Sequence, residues 1–223
     1  MATRVVVTDQ VEVGPPVGQY TGPLLSAIAG SGVLATYQRP ASVFPEANQF
    51  YACITNPVTV VNGGPSGNRF QFVPFVLSQT VIIDQLMLPV NAVGGAGSAF
   101  RFGLYNANQT TLHPTTLIYE SGEEDGNVGG KHTKTGLAIT FTAGIVYHAA
   151  YVSNALTPTV TILSLGSPFF GYTMPATSPV TAFGFHYDAA YGALPADVSA
   201  QAMSFLELGD APVVVWYSIS ALG

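Results

Sequence analysis

The run from Gly94 to Asn108 constrains the fold of this chain more than any other stretch. A glycine-rich lead-in passes into Phe100, Phe102 and Leu104 alternating with Arg101, Gly103 and Tyr105, which is the period-2 pattern of a strand with two unlike faces. Asn106 and Asn108 then supply a polar turn. Three large apolar groups on one face of a strand gain nothing unless a second layer covers them, so the stretch implies a sheet and a partner for that sheet.

The rest of the chain supplies candidates for both. Strands are expected at Phe50 to Ile54, Val58 to Val61, Arg69 to Val76, Thr80 to Val90, Ser98 to Tyr105, Thr116 to Ser121, Gly136 to Thr142, Ile145 to Ser153, Thr159 to Leu163, Thr181 to Tyr187 and Val213 to Ile219. Most are separated by Gly, Pro, Asn or Ser, and no long segment between them carries a 3.6-residue period. Many short strands with turn-rich links specify an all-β, antiparallel sandwich, with a jelly-roll type of connection favoured. In Thr80 to Val90, Ile82, Leu86, Leu88 and Val90 share one face with Asp84 while Val81, Ile83 and Met87 fill the other, which predicts a central strand.

Residues 1–48 have a different character. Short β-like pieces end at Gly14-Pro15-Pro16, and the apolar segment from Pro23 to Tyr37 is split by Gly30-Ser31-Gly32. Pro23 suits the first turn of a short helix that Gly30 would end. With no evident core of its own, this segment is expected to be an anchoring arm, its apolar contacts supplied by Leu24, Leu25, Ile28, Val33, Leu34 and Tyr37. The sandwich domain then spans 49–223.

Only 8% of the 223 residues are charged, against about 25% in an average domain. So little charge solvates a monomer's surface poorly, and a homo-oligomer or larger assembly is expected. The net charge is −6 and the six basic residues are scattered, so no concentrated surface meets a phosphate backbone and nucleic acid is not expected as a partner. The uncharged stretches Val13 to Gln38 and Thr135 to Tyr187 are interrupted well before the ~18 apolar residues of a spanning helix, so no membrane insertion is expected. Arg4 is followed by Asp9 and Glu12 with no apolar run directly behind, unlike a cleaved signal peptide. The single Cys53, between Ala52 and Ile54, reads as a buried thiol.

Chemistry-bearing groups are sparse. Residues 120–127, Glu-Ser-Gly-Glu-Glu-Asp-Gly-Asn, form the one dense charge cluster; their spacing does not match a calcium loop, and a solvated loop tip is expected instead of a metal site. His113, His132, His148 and His186 form no HxH or HExxH pair. The chain has no nucleophile elbow, P-loop or dinucleotide fingerprint, so no catalytic residues and no cofactor are expected. The segment Phe183 to Tyr191 combines rings with polar groups. One reading makes Tyr187, Asp188, Tyr191 and His186 glycan contacts, rings stacking on sugar faces beside oriented hydrogen-bonding groups. The plainer reading places Phe183 and Phe185 in the strand core and the two tyrosines at a subunit contact.

Gly97 to Asn106, then Tyr119-Glu-Ser-Gly122, then Leu137 to Thr142 followed by Gly144-Ile-Val-Tyr147-His-Ala-Ala150, resemble a β-sandwich module of tailed-bacteriophage fibre, spike and minor virion proteins. Leu194-Pro195-Ala196 and Pro212 to Val215 resemble its closing segments, so the likeness covers roughly residues 50–219. The resemblance implies a virion surface protein, commonly trimeric, bound to another capsid or tail protein, with no catalytic residues to carry over. The acidic loop and the first 48 residues depart from the pattern. Two other classes remain at this point: a free carbohydrate-binding module of a secreted protein, and a small hydrolase.

Overall fold

The computed structural model describes residues 50–53, 59–165, 172–173 and 180–222. The proposed arm, with Leu24, Leu25, Ile28, Val33, Leu34 and Tyr37, lies outside the described residues. In chain order the strands are β1 (Phe50–Ala52), β2 (Thr59–Gly63), β3 (Arg69–Val76), β4 (Val81–Ala92), β5 (Ala99–Ala107), β6 (Pro114–Glu120), β7 (Glu124–Asp125) and β8 (Gly130–Lys134). They continue with β9 (Ile139–Phe141), β10 (Val146–Ser153), β11 (Thr159–Leu165), β12 (Tyr172–Thr173), β13 (Val180–Asp188), β14 (Ser204–Glu207) and β15 (Trp216–Leu222). A single 3₁₀ turn, Leu208–Asp210, is the helical element among the described residues.

All strand pairs are antiparallel and fall into two sheets packed face to face, the sandwich that the alternating pattern demands. In the first sheet β4 is central. Val81 and Ile83 pair with both β15 and β9, while Val90 pairs with both β11 and β8. A strand has two edges, so β15 and β11 share one edge of β4, and β9 and β8 share the other. Beyond them, β1 lies against β15 and β2 against β11. The second sheet runs β13, β3, β10, β5, with β12 and β14 on β13 and with β6 and β7 on β5. Successive long strands cross between sheets: β3, β5, β10 and β13 belong to the second, β4, β11 and β15 to the first.

Phe100, Phe102 and Leu104 all face the interior and are fully buried, as their alternation requires. They meet Val81, Ile83, Leu86, Leu88 and Val90 from β4 in one core with Phe75, Tyr151 and Tyr217. Each such side chain contributes about 1.5–3 kcal/mol relative to exposure. The inward set on β4 differs from the alternation read in the sequence. Pairing with β15 skips Asp84, since Ser218 lies opposite Gln85 and Ile219 opposite Ile83. The bulge moves the inward face from odd positions before Asp84 to even positions after it. Asp84 itself accepts from the Ser218 hydroxyl, and its carbonyl accepts from Leu137 N–H at 2.9 Å.

The second sheet is also covered on its outer face. Residues 189–203, between β13 and β14, fold back so that Leu194 and Val198 pack on Phe70, Phe72, Tyr105, Ala150, Val152, Phe185 and Tyr187. The cover is stitched to β6 by Leu117 N–H to Ala196 O and by Val198 N–H to Thr115 O, both 2.9 Å. Tyr105 donates to Pro195 O at 2.6 Å beneath it. Gly103 is needed where β5 passes under this cover, because a Cβ there would lie 2.2 Å from Tyr119 O and 2.7 Å from Leu194 Cδ1.

Candidate functional site

The predicted site residues sit at the end of β13 and the start of the covering segment. The register places His186 opposite Gln71, Tyr187 opposite Phe70 and Asp188 opposite Arg69. Strand alternation therefore sends Tyr187 under the cover and His186 to the other face. Tyr187 is 9% exposed and stacks on Phe70 with centroids 4.8 Å apart and planes 3° from parallel. Burial pushes its phenol up to about 12. It therefore acts chiefly as a packed ring, in line with the core assignment of the neighbouring aromatic Phe185. His186 is half-buried, and its Nδ1 is enclosed with no hydrogen-bond partner.

Asp188 is exposed but held. Arg69 grips both of its oxygens, Nε to Oδ1 at 2.7 Å and Nη2 to Oδ2 at 3.2 Å, while Nη1 reaches Asp210. The hydrogen bonds from Arg69 keep the Asp188 carboxyl below its ordinary range. Gln71 completes this corner: its Nε2 donates to Asp210 O at 3.1 Å and its Oε1 accepts from Val213 N–H at 3.1 Å. The start of β3, the end of β13 and the lead into β15 are thereby joined.

Tyr191 is the part of the predicted constellation that keeps an accessible ring. Its N–H donates to Asn68 Oδ1 at 3.3 Å, its hydroxyl donates to Glu123 Oε2 at 3.2 Å, and the Arg101 guanidinium stands 5.9 Å from its ring centroid. Burial, followed by the Glu123 charge, pushes its phenol up to about 12. Arg101 pairs with Glu120 at 2.6 Å and Glu123 at 3.6 Å, and Glu120 also accepts from Leu194 N–H at 3.1 Å. Tyr187 and Tyr191 thus belong to one cluster with Asp188 at its rim, and His186 points away from it.

Sequence reasoning did not foresee that Arg101, Glu120 and Glu123 join Tyr191, because their spacing along the chain carries no such information. The acidic loop is correspondingly not a bare tip. Glu120 and Glu123 meet Arg101, Asp125 Oδ1 accepts from Asn127 N–H at 2.8 Å, and Glu124 pairs with His132 at 2.9 Å and with Lys134. Glu124 belongs to the second sheet and His132 and Lys134 to the first, so this pair clasps the layers at their edge. His132 Nε2 lies 2.9 Å from Val128 O, giving both ring nitrogens an acceptor. Among the described residues, no three His, Cys, Asp or Glu side chains gather in a way that would hold a metal ion, and no helix is long and apolar enough to cross a membrane.

The remaining histidines lie together elsewhere on the second sheet. His148 on β10 is completely buried, whereas His113 is exposed, with its ring 4.4 Å from that of Phe185. The chain matches no protein-family model and no curated protein.

Proposed function

We propose that the chain is a structural subunit of a bacteriophage particle surface, a homo-oligomer of trimeric type whose first 48 residues anchor it to a capsid or tail protein while the sandwich faces outward. The observation that supports this reading is what the residues of the phage-module resemblance do in the fold. Gly103 leaves no room for a Cβ, Tyr105 ties the sheet to its cover, and Gly122 and Gly144 take φ of +74° and +73°. Those are requirements of a frame that must be rebuilt in every copy, and they place no reactive group. The low charge of 8% suits a subunit whose surface is partly covered by neighbours.

In this role the contact with a host is adhesive. The half-exposed Tyr191 ring beside Glu123 and Arg101 offers a stacking surface with flanking hydrogen-bonding groups, the composition that suits a surface glycan. Particles assembled without the protein should lose a surface projection in electron micrographs, and an unchanged particle outline refutes the proposal. The same Tyr191 rim also favours a second reading, a free carbohydrate-binding module of a secreted protein. Light scattering separates the two: that module is a monomer in solution, and the virion subunit is an oligomer.

A further inference from the structure

We infer that residues 108–113 form a flap on the outer face of the second sheet, latched by His148 beneath it and released when that histidine takes up a proton. The flap joins β5 to β6 and carries its own turn: Leu112 N–H donates to Asn108 O at 2.7 Å, and Asn108 Oδ1 accepts from Thr110 and Thr111 N–H at 2.9 and 3.1 Å. Leu112 adopts φ of +61°, a left-handed conformation that costs a branched side chain about 1 kcal/mol or more unless its surroundings enforce it.

Two attachments enforce it. On one side the Gln109 side chain clasps Val146 like a strand, with Oε1 accepting from Val146 N–H and Nε2 donating to Val146 O, each at 3.0 Å. On the other, His148 Nε2–H donates to Leu112 O at 2.8 Å. The His148 ring is wholly buried, and its Nδ1 has no hydrogen-bond partner. As a neutral ring it satisfies Leu112 and leaves one unprotonated nitrogen in an apolar bed. As an imidazolium it carries a charge with no counter-ion in that apolar bed, an arrangement that burial penalises.

No charged group that faces it offsets the charge, and the backbone groups of Leu112 and Phe72 that favour the protonated ring do not outweigh its burial. From β5 the cross-strand neighbour is Tyr105, whose phenol burial pushes far above its ordinary value and keeps neutral. From β3 come Pro74 and Phe72, from β13 Phe185, and from the flap itself His113, whose protonation adds repulsion. Desolvation accordingly lowers the His148 value from 6.5 to about 4. For a base whose closed-state value is depressed, the closed state keeps its full advantage above pH 6.5 and loses it as the pH falls toward 4. Opening lets Nδ1 protonate in water while the sandwich stays folded, because the flap's ties are few and local.

The test is amide hydrogen exchange with NMR on the full-length protein. Protection of Thr110, Thr111, Leu112 and Val146 should fall about 100-fold between pH 7 and pH 4, from the two His148 values, while the amides of β3 and β10 inside the sheet hold theirs. The His148 ring signal should titrate over that same range. In His148→Gln, which keeps a donor for Leu112 O and cannot titrate there, the flap's protection should be flat with pH. Gln109→Ala keeps the latch but removes the opposite clasp, so protection of Thr110, Thr111 and Leu112 should be lower at every pH while falling by the same factor between pH 7 and pH 4. Flap amides that keep their protection at pH 4, or lose it together with the β3 amides, overturn the inference. So does a His148 ring that titrates near 6.5, or an unaltered pH dependence in His148→Gln.

Discussion

Replacing Gly103 by alanine isolates one steric requirement of the frame. Gly103 has no left-handed φ, so alanine costs nothing in backbone conformation, and the whole effect comes from where the new methyl group goes. It meets Tyr119 O at 2.2 Å, where something must shift by about 1 Å to reach ordinary carbon–oxygen contact, and Leu194 Cδ1 at 2.7 Å. The leucine can move, but the carbonyl belongs to β6, paired to β5 through Leu104 and Tyr119, and moving it separates the strands. Overpacking costs about 1–3 kcal/mol, and a backbone obstacle puts Gly103→Ala near the upper end, about 3 kcal/mol. In a domain of this size that lowers Tm by roughly 6–12 °C. Gly192→Ala is the matched control, since nothing lies within 4 Å of its added Cβ and its φ is not left-handed; its Tm should stay within about 2 °C of the parent. Scanning calorimetry on both variants checks the pair. Equal melting temperatures for Gly103→Ala and the parent refute the steric reasoning and, with it, the view of Gly103 as a frame residue.

Arg69→Met removes the cation shared by Asp188 and Asp210 and leaves the half-buried Asp210 without its partner, so urea unfolding should show a loss of about 1–3 kcal/mol. Asp188→Asn removes only the exposed partner and should cost well under half of that. Cys53 is fully buried with its N–H bonded to Val215 O at 2.7 Å, and burial pushes its thiol well up. A thiol reagent at pH 8 should therefore label the native protein no faster than it unfolds, and should label it at once in denaturant; rapid labelling of the folded chain contradicts its place in the core.

The long strands at the centre of the second sheet were legible in the sequence. Arg69 to Val76 and Ser98 to Tyr105 lie where they were expected; in the second of these, apolar residues at every second position leave little choice of face. The edge strands β1, β2, β6 and β9 lie near their expected places, but β7, β8, β12 and β14 were not legible. β8, Gly-Lys-His-Thr-Lys, has no apolar alternation, since an edge strand needs only backbone pairing, and its Lys131 and Lys134 suit an exposed edge. The β4 bulge was likewise invisible, as nothing in Ile-Asp-Gln announces an extra residue. Val213 to Val215 read as the start of the last strand, but β15 begins at Trp216, and the preceding residues bond to β11 instead. At the candidate site the ring-rich composition of Phe183 to Tyr191 was legible, but its exposure was not. Tyr187 is covered by a segment that follows it in the chain, whereas Tyr191 belongs to that segment and keeps one side toward water.

The clasp of Glu124 with His132 and Lys134 bears on the order in which the domain assembles. It joins the two layers across a separation of eight residues, whereas Arg69 and Asp210 meet across 141. Closing a loop costs more entropy as it lengthens, so the β7–β8 crossover is the least costly place for a collapsing chain to bring one sheet onto the other. A nucleus formed there sets β5 and β4 face to face through Phe100 and Leu88, leaving the closure by β1 and β15 for the end of folding.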